Sequence, residues 1–164
     1  MQTFAESVSP RRGTPASIDY DESMHVLEAA VPAGVLVCQG ATADNAVKVP
    51  STAALVAAAK GVVIYNALMP APGDDATTND FAAARAVSIM LEGVIWVVCE
   101  DAIAAGAPVF CRYTANGAGK LQLGAVRSDA DGGNAASLPN CRAASTSTGA
   151  GVIKLRVNLP YATA

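Results

Sequence analysis

From Pro32 onward, short apolar runs alternate with turn-forming residues, and no longer helical period is sustained. Residues 34–38, 46–49 and 62–65 have the length and β-branched content of strands. Between the last two, residues 51–60 (STAALVAAAK) fit a short helix with Ser51 as N-cap and Gly61 just past its end. Residues 67–80 contain Pro70, Pro72, Gly73, Asp74 and Asp75, and are expected as a polar loop because closely spaced prolines remove the donors a ladder needs. Residues 81–85 fit a helical turn.

The strongest strand signal spans residues 87–100, where VSIML and VIWVVCE place β-branched and aromatic side chains on both sides of Gly93. Gly93 marks a tight turn or a bulge. Both faces of the run are apolar, so one is expected on the core and the other against a packed sheet or a partner subunit. Residues 106–113 form the next strand, and Asn116-Gly117 signals a hairpin leading to residues 120–126. A Gly/Asp/Asn loop at 128–134 precedes a strand at 140–145. In the last strand Ile153, Leu155, Val157 and Leu159 alternate with Lys154, Arg156 and Asn158, which predicts one buried and one wet face.

Roughly nine short strands at this spacing, with no βαβ alternation, predict an all-β fold: a β-sandwich or jelly-roll-like domain with at most one or two short helices. Residues 1–22 are polar, punctuated by Pro10, Gly13 and Pro15, and show no period of 2 or 3.6. They are expected as an extended N-terminal arm, free or lying along a neighbouring subunit, ahead of a single β domain at residues 23–164.

Composition sharpens this picture. The chain has 164 residues and is 52% hydrophobic but only 5% aromatic, and much of its apolar count is alanine. The core is therefore expected to be thin and to be completed by contacts between copies, since whatever binds only the folded state stabilises it. A net charge of -3 and a pI near 5.0 argue against a direct nucleic-acid partner, which calls for a basic stripe. The charge is uneven: residues 1–106 hold five Lys/Arg and twelve Asp/Glu (net -7), while residues 107–164 hold six and two (net +4). Such asymmetry either steers docking to a neighbour of opposite sign or mixes within one fold. The N-terminus has no apolar run behind its charges, so neither a secretory signal nor a lipid anchor is expected, and synthesis in a cytoplasm is. The longest apolar stretch, 86–99, is cut by Glu92 and too short to cross a bilayer as a helix, so no membrane partner is expected.

Catalysis needs a nucleophile, a base that holds it and an orienting partner. His25 is the only imidazole and no motif surrounds it, so a structural role is expected. Cys38, Cys99, Cys111 and Cys141 are widely spaced, lie in or beside apolar runs, and are expected as buried free thiols rather than as a zinc site or disulfides. Gly117-Ala118-Gly119-Lys120 fails the phosphate-loop pattern, because Thr114 stands where a Gly is required and Leu121 where a Ser or Thr is required. Asp129 and Asp131 suggest a calcium loop, but Asn134 and Asn140 occupy the places of its required Gly and Glu, leaving a solvated loop as the expectation. Asp19, Asp21 and Glu22, with Asp74 and Asp75, are likewise expected as solvated loop charges. No catalytic, cofactor-binding or metal-binding residue is assigned, and no cofactor is expected.

A longer pattern resembles the phage structural cement or head decoration proteins. It comprises residues 93–126, with Trp96, the turn Ala105-Gly106-Ala107-Pro108-Val109-Phe110 and the hairpin after it, and then residues 140–160 with the alternating terminal strand. Val31-Pro32-Ala33-Gly34-Val35-Leu36-Val37 and Gly61-Val62-Val63-Ile64 sit where such proteins have their early strands. The resemblance implies a virion protein of jelly-roll-like fold on the outer capsid surface, assembled in the host cytoplasm. It further implies dimers or trimers that bridge subunits of the major capsid protein once the head has expanded, without catalysis. Two alternatives stand beside it. One is a non-catalytic β-sandwich module binding carbohydrate or a receptor, against which Trp96 lies in an apolar strand rather than on a loop. The other is an enzyme using His25 or a cysteine.

Overall fold

The computed structural model describes residues 12–16, 20–65 and 80–159. In chain order its strands are β1 (Asp21–Leu27), β2 (Val31–Pro32), β3 (Leu36–Gln39), β4 (Ala46–Lys48), β5 (Ala59–Val63), β6 (Asp80–Phe81), β7 (Ala86–Cys99), β8 (Pro108–Arg112), β9 (Val126–Arg127), β10 (Ala135–Ala143) and β11 (Gly151–Asn158). The helix α1 (Ala53–Ala57) follows β4, and a 3-10 turn at Asp131–Gly133 precedes β10. The all-β expectation holds.

Strand pairing decides the topology. The nine-stranded sheet runs β1-β4-β3-β5-β7-β11-β10-β8-β9, and β7 also pairs with β1 and with β9. Those extra pairings close two rings, β1-β4-β3-β5-β7 and β7-β11-β10-β8-β9, which share β7. Closure satisfies strand edges that an open sheet would leave to solvent or to aggregation. A separate ribbon joins β2 to β6 through Val31 opposite Phe81.

β7 serves both rings because the chain runs straight through Gly93 rather than turning there. Gly93 has φ 136°, a conformation costly for any residue with a Cβ, and the β1 register slips beside it between Asp21 and Glu22. Before the glycine, Val87, Ile89 and Leu91 pack with Leu27, Val35, Val37, Val47, Val63 and Phe81. After it, Ile95, Val97 and Cys99 pack with Val109, Cys111, Val126, Ile153, Leu155 and Val157. The second cluster also takes in Leu36, Val56, Val62 and Met90, and so extends across the outer side of β3 and β5 beneath α1. The thin core of the composition is thus two small cores, in which Phe81 is the one aromatic among the described buried residues.

β11 shows the alternation its sequence predicts: Ile153, Leu155 and Val157 are buried, and Arg156 and Asn158 are exposed. Each buried member contributes about 1.5–3 kcal/mol relative to exposure. Part of the expected arm is also ordered on β7. Gly13 N donates to Trp96 O (2.6 Å), Trp96 N to Thr14 O (3.0 Å) and Ala16 N to Val94 O (2.6 Å). Of the rest of it, residues 20–22 lead into β1, and residues 1–11 and 17–19 lie outside the described residues, as does the expected loop except for Asp80.

Four expectations are corrected. The helix cap is Thr52, whose Oγ1 accepts from Leu55 N (3.3 Å), and the helix ends at Ala57 because the following residues pair with β3 and bury Ala59, Val62 and Val63. Residues 81–85 form no helical turn: Phe81 is drawn into the first core as part of β6, and Ala84 turns the chain at φ 60°. Residues 120–125 form no strand, because Asn116 gathers them into a wide turn, its N donating to Lys120 O (3.1 Å) and its Oδ1 accepting from Ala118 N (3.1 Å). Residues 21–27, which include two of the charges expected in a loop, form β1.

Gly34 sits where the ordered part of the N-terminal segment crosses β7. At φ 73°, a Cβ there would lie 2.6 Å from Gly13 N and 2.9 Å from Trp96 O, both backbone atoms. The substitution Gly34→Ala is expected to destabilise the fold by about 2 kcal/mol or more, read as a lower urea midpoint with unchanged slope.

Candidate functional site

The chemistry of the molecule concentrates at one end of the second ring. Glu100 follows β7, Arg112 ends β8 and Arg127 ends β9, and all three are buried. Arg112 Nε donates to Glu100 Oε1 (2.7 Å) and Oε2 (2.8 Å), its Nη1 to Thr114 O (2.8 Å) and its Nη2 to Asp131 Oδ2 (2.7 Å). Arg127 reaches Glu100 Oε2 (3.3 Å), Asp131 Oδ2 (3.2 Å), Asp101 Oδ2 (3.4 Å) and Asp129 Oδ1 (2.7 Å). Asn116 Nδ2 donates to Asp131 Oδ2 (2.6 Å), and Lys120 Nζ to the Glu100 carbonyl (2.6 Å). Asp131 has φ 46°, a left-handed conformation that Asp tolerates, and its carboxylate is held there by both guanidinium groups. Isolated buried charges would be prohibitive; here each is paired and hydrogen-bonded, and the network ties two loops to the strand ends.

The loop at residues 128–134 is solvent-exposed as expected, with the Asp129 side chain 67% exposed, but its carboxylates are ion-paired rather than free. The carboxylate oxygens of Asp129 and Asp131 face guanidinium groups, whose charge stands where a cation would have to sit. Those interactions hold both carboxyls below their ordinary value of 3.8: for Asp129 chiefly the Asp131 backbone N–H and then Arg127, for Asp131 chiefly the Arg112 hydrogen bond. The Glu100 hydrogen bonds raise the Arg112 pKa, against burial. Lys120 is likewise committed, in a glycine-rich turn that holds no phosphate-loop geometry.

The other candidates are placed as follows. His25 Nδ1 lies 3.1 Å from Asn45 O, which can only accept, so Nδ1 carries the proton and Nε2 receives the Ser23 hydroxyl at 2.8 Å. Partial burial lowers the His25 pKa, and no carboxylate orients the ring among its hydrogen bonds. The pair acts as a side-chain brace between β1 and the loop before β4. The four cysteines are free and buried, and burial raises every thiol, Cys141 to about 11, so thiolate chemistry is suppressed. Asp19, Asp74 and Asp75 lie outside the described residues.

Four charges on the outer surface make no ion pair among the described residues. Arg142 stands directly opposite Arg156 on β10 and β11, and Asp21 directly opposite Glu92 on β1 and β7; all four are exposed. Lys154 Nζ sits 5.1 Å over the Trp96 ring, a cation–π contact. A surface groove of about 670 Å³ beside them is lined in part by Val98, Lys120, Leu121 and Val152, with Leu121 well exposed. No helix among the described residues is long and apolar enough to cross a membrane.

The architecture is a closed all-β fold with a buried charged network at one end, and comparison with known proteins identifies its family. The chain matches the family described as Structural cement protein (E217 gp24/Pam3 gp6) over residues 11–158. It belongs to that family, whose members are capsid-associated structural proteins of phages. Among solved structures it is similar in fold to a chain of "The capsid of Myoviridae Phage XM1", with a TM-score of 0.68, 15% identity and 93% of each chain covered. A chain of the head fiber gp8.5 N base of bacteriophage phi29 aligns with a TM-score of 0.44 and 12% identity over 85% of this chain and 95% of its own. No curated protein matches the chain by sequence.

Two outcomes are expected from the charged network. Arg112→Met leaves Glu100 and Asp131 without their main partner and is expected to cost about 3–5 kcal/mol, measured by denaturant unfolding. For the pH dependence, Asp129, Asp131 and His25 all have folded-state pKa values below their unfolded ones. Their contribution is complete above the unfolded values and is lost as pH falls through the folded ones. Thermal melts are expected to fall on acidification, first through the His25 range and then through the carboxylate range, with Asp131→Asn flattening the second step.

Proposed function

We propose that this chain is a non-catalytic virion protein that sits on the outer capsid surface and, as a dimer or trimer, bridges neighbouring subunits of the major capsid protein. Membership of the structural cement family across residues 11–158 carries this reading. The architecture supports it physically. A clamp must hold its shape under load, and two closed rings sharing one strand resist the slippage that open sheet edges allow. A clamp also stabilises a shell only by binding its assembled state more tightly than its loosened one, a requirement for complementary surface rather than reactive groups. The side chains fit that requirement: the thiols are buried, His25 is braced and the acidic loop is ion-paired. Trp96 is partly covered by Lys154, which counts against a sugar-stacking platform.

The test is cosedimentation of purified protein with expanded capsids that lack it. Saturable binding that raises the temperature at which the capsids open is expected; absence of binding overturns the reading. His25→Ala and Cys141→Ala are expected to bind capsids as the wild type does.

The N-terminal segment enters the same proposal as a second capsid contact. Because residues 13–16 are bonded along β7 and Arg12 pairs with Asp80, the informative deletion stops at residue 11. Removing residues 1–11 is expected to weaken capsid binding while leaving the thermal melt unchanged. Wild-type affinity in the truncated protein removes the arm from the proposal.

A further inference from the structure

The unpaired charges on the outer face form a pattern with two signs. Strand register places Asp21, Glu92 and Asn158 in one cross-strand row on β1, β7 and β11. The next row on the same face holds Val94, Arg156 and Arg142 on β7, β11 and β10. Alternate residues of a strand share a face, so the acidic and basic rows lie side by side, roughly 7 Å apart along the strands. Like charges directly opposite each other in a sheet are destabilising. Here that occurs twice, in adjacent rows, and none of the four side chains is ion-paired among the described residues.

The rest of the molecule makes the pattern conspicuous. In the basic half of the chain, Arg112, Arg127 and Lys120 are engaged at the end of the second ring. The cations that give this half its surplus are therefore Arg142, Arg156 and Lys154, all presented by β10 and β11.

A single occupant relieves both rows at once: a second copy of the same chain. Placing a two-fold axis in the plane of contact, between β7 and β11 and oblique to the strands, brings Asp21 of each copy toward Arg142 of the other and Glu92 toward Arg156. An isologous contact of this kind is self-complementary and closes at two subunits. Val94 and Trp96 bring apolar area to the same surface, while the charges supply register and steering. We propose that this face is the dimer contact of the protein, an inference that rests on the oligomeric reading above and names the surface responsible.

The experiment uses the full chain and three samples. Light scattering and sedimentation are expected to show a wild-type dimer whose dissociation constant rises with ionic strength. The double variant Arg142→Glu/Arg156→Glu makes both charged rows acidic, and Asp21→Lys/Glu92→Lys makes both basic. Each alone is expected to weaken dimerisation by at least about tenfold, and an equal mixture of the two is expected to restore it as a heterodimer. Restoration also shows that both variants are folded.

A dimer unaffected by either reversal, a mixture that stays monomeric, or a wild-type trimer overturns this contact while leaving capsid binding to its own test. A wild-type monomer at all concentrations overturns the contact together with the oligomeric part of the proposed function. Reversals that leave the dimer intact but abolish cosedimentation with capsids assign the face to the shell instead and overturn the inference.

Discussion

The fold depends on β7 running as one continuous strand through both rings. Neither ring closes without it: the first needs the segment before Gly93 against β1 and β5, and the second needs the segment after it against β11 and β9. A protein with few aromatics gains little from any single core, but a shared strand makes loss of one core damaging to the other. The ordered N-terminal residues add to this by bonding along β7 where it passes Gly34. Rigidity here comes from closure and sharing more than from the volume of buried side chains.

Polar chemistry then does at the end of the second ring what hydrophobic packing does elsewhere. Arg112 is fully buried, and its guanidinium satisfies a carboxylate, a backbone carbonyl and a second carboxylate from a loop. Replacing such a network wholesale with apolar groups is often neutral, whereas removing one member is costly, so its value lies in fixing geometry. It fixes the turn after β8 and the loop after β9 against each other. The network engages Arg112, Arg127 and Lys120, and the other three cations of residues 107–164 stand on β10 and β11.

The sequence carried the local and periodic features. The alternation in residues 151–158 determined which face of β11 is buried, because a period of two needs no knowledge of partners. Apolar surroundings marked the cysteines as buried thiols, and broken spacings argued against phosphate and calcium loops. Glycine placement and strand rhythm supported the resemblance to the cement proteins that the family match bears out.

Only the tertiary structure decided the rest. β1 was hidden because one side of it is exposed, so its residues DESMHVL read as part of a polar arm and its approach. The helix was cut short because long-range pairing with β3 outcompetes the weak preference of an alanine run. The buried network left one faint signal, Glu100 and Arg112 standing inside or beside apolar runs, but which carboxylate meets which guanidinium depends on bringing together residues 100, 112, 127 and 131. Likewise the charge halves of the chain were legible as a sum, while their arrangement into adjacent rows follows from strand register, a relation between distant segments that no local pattern encodes.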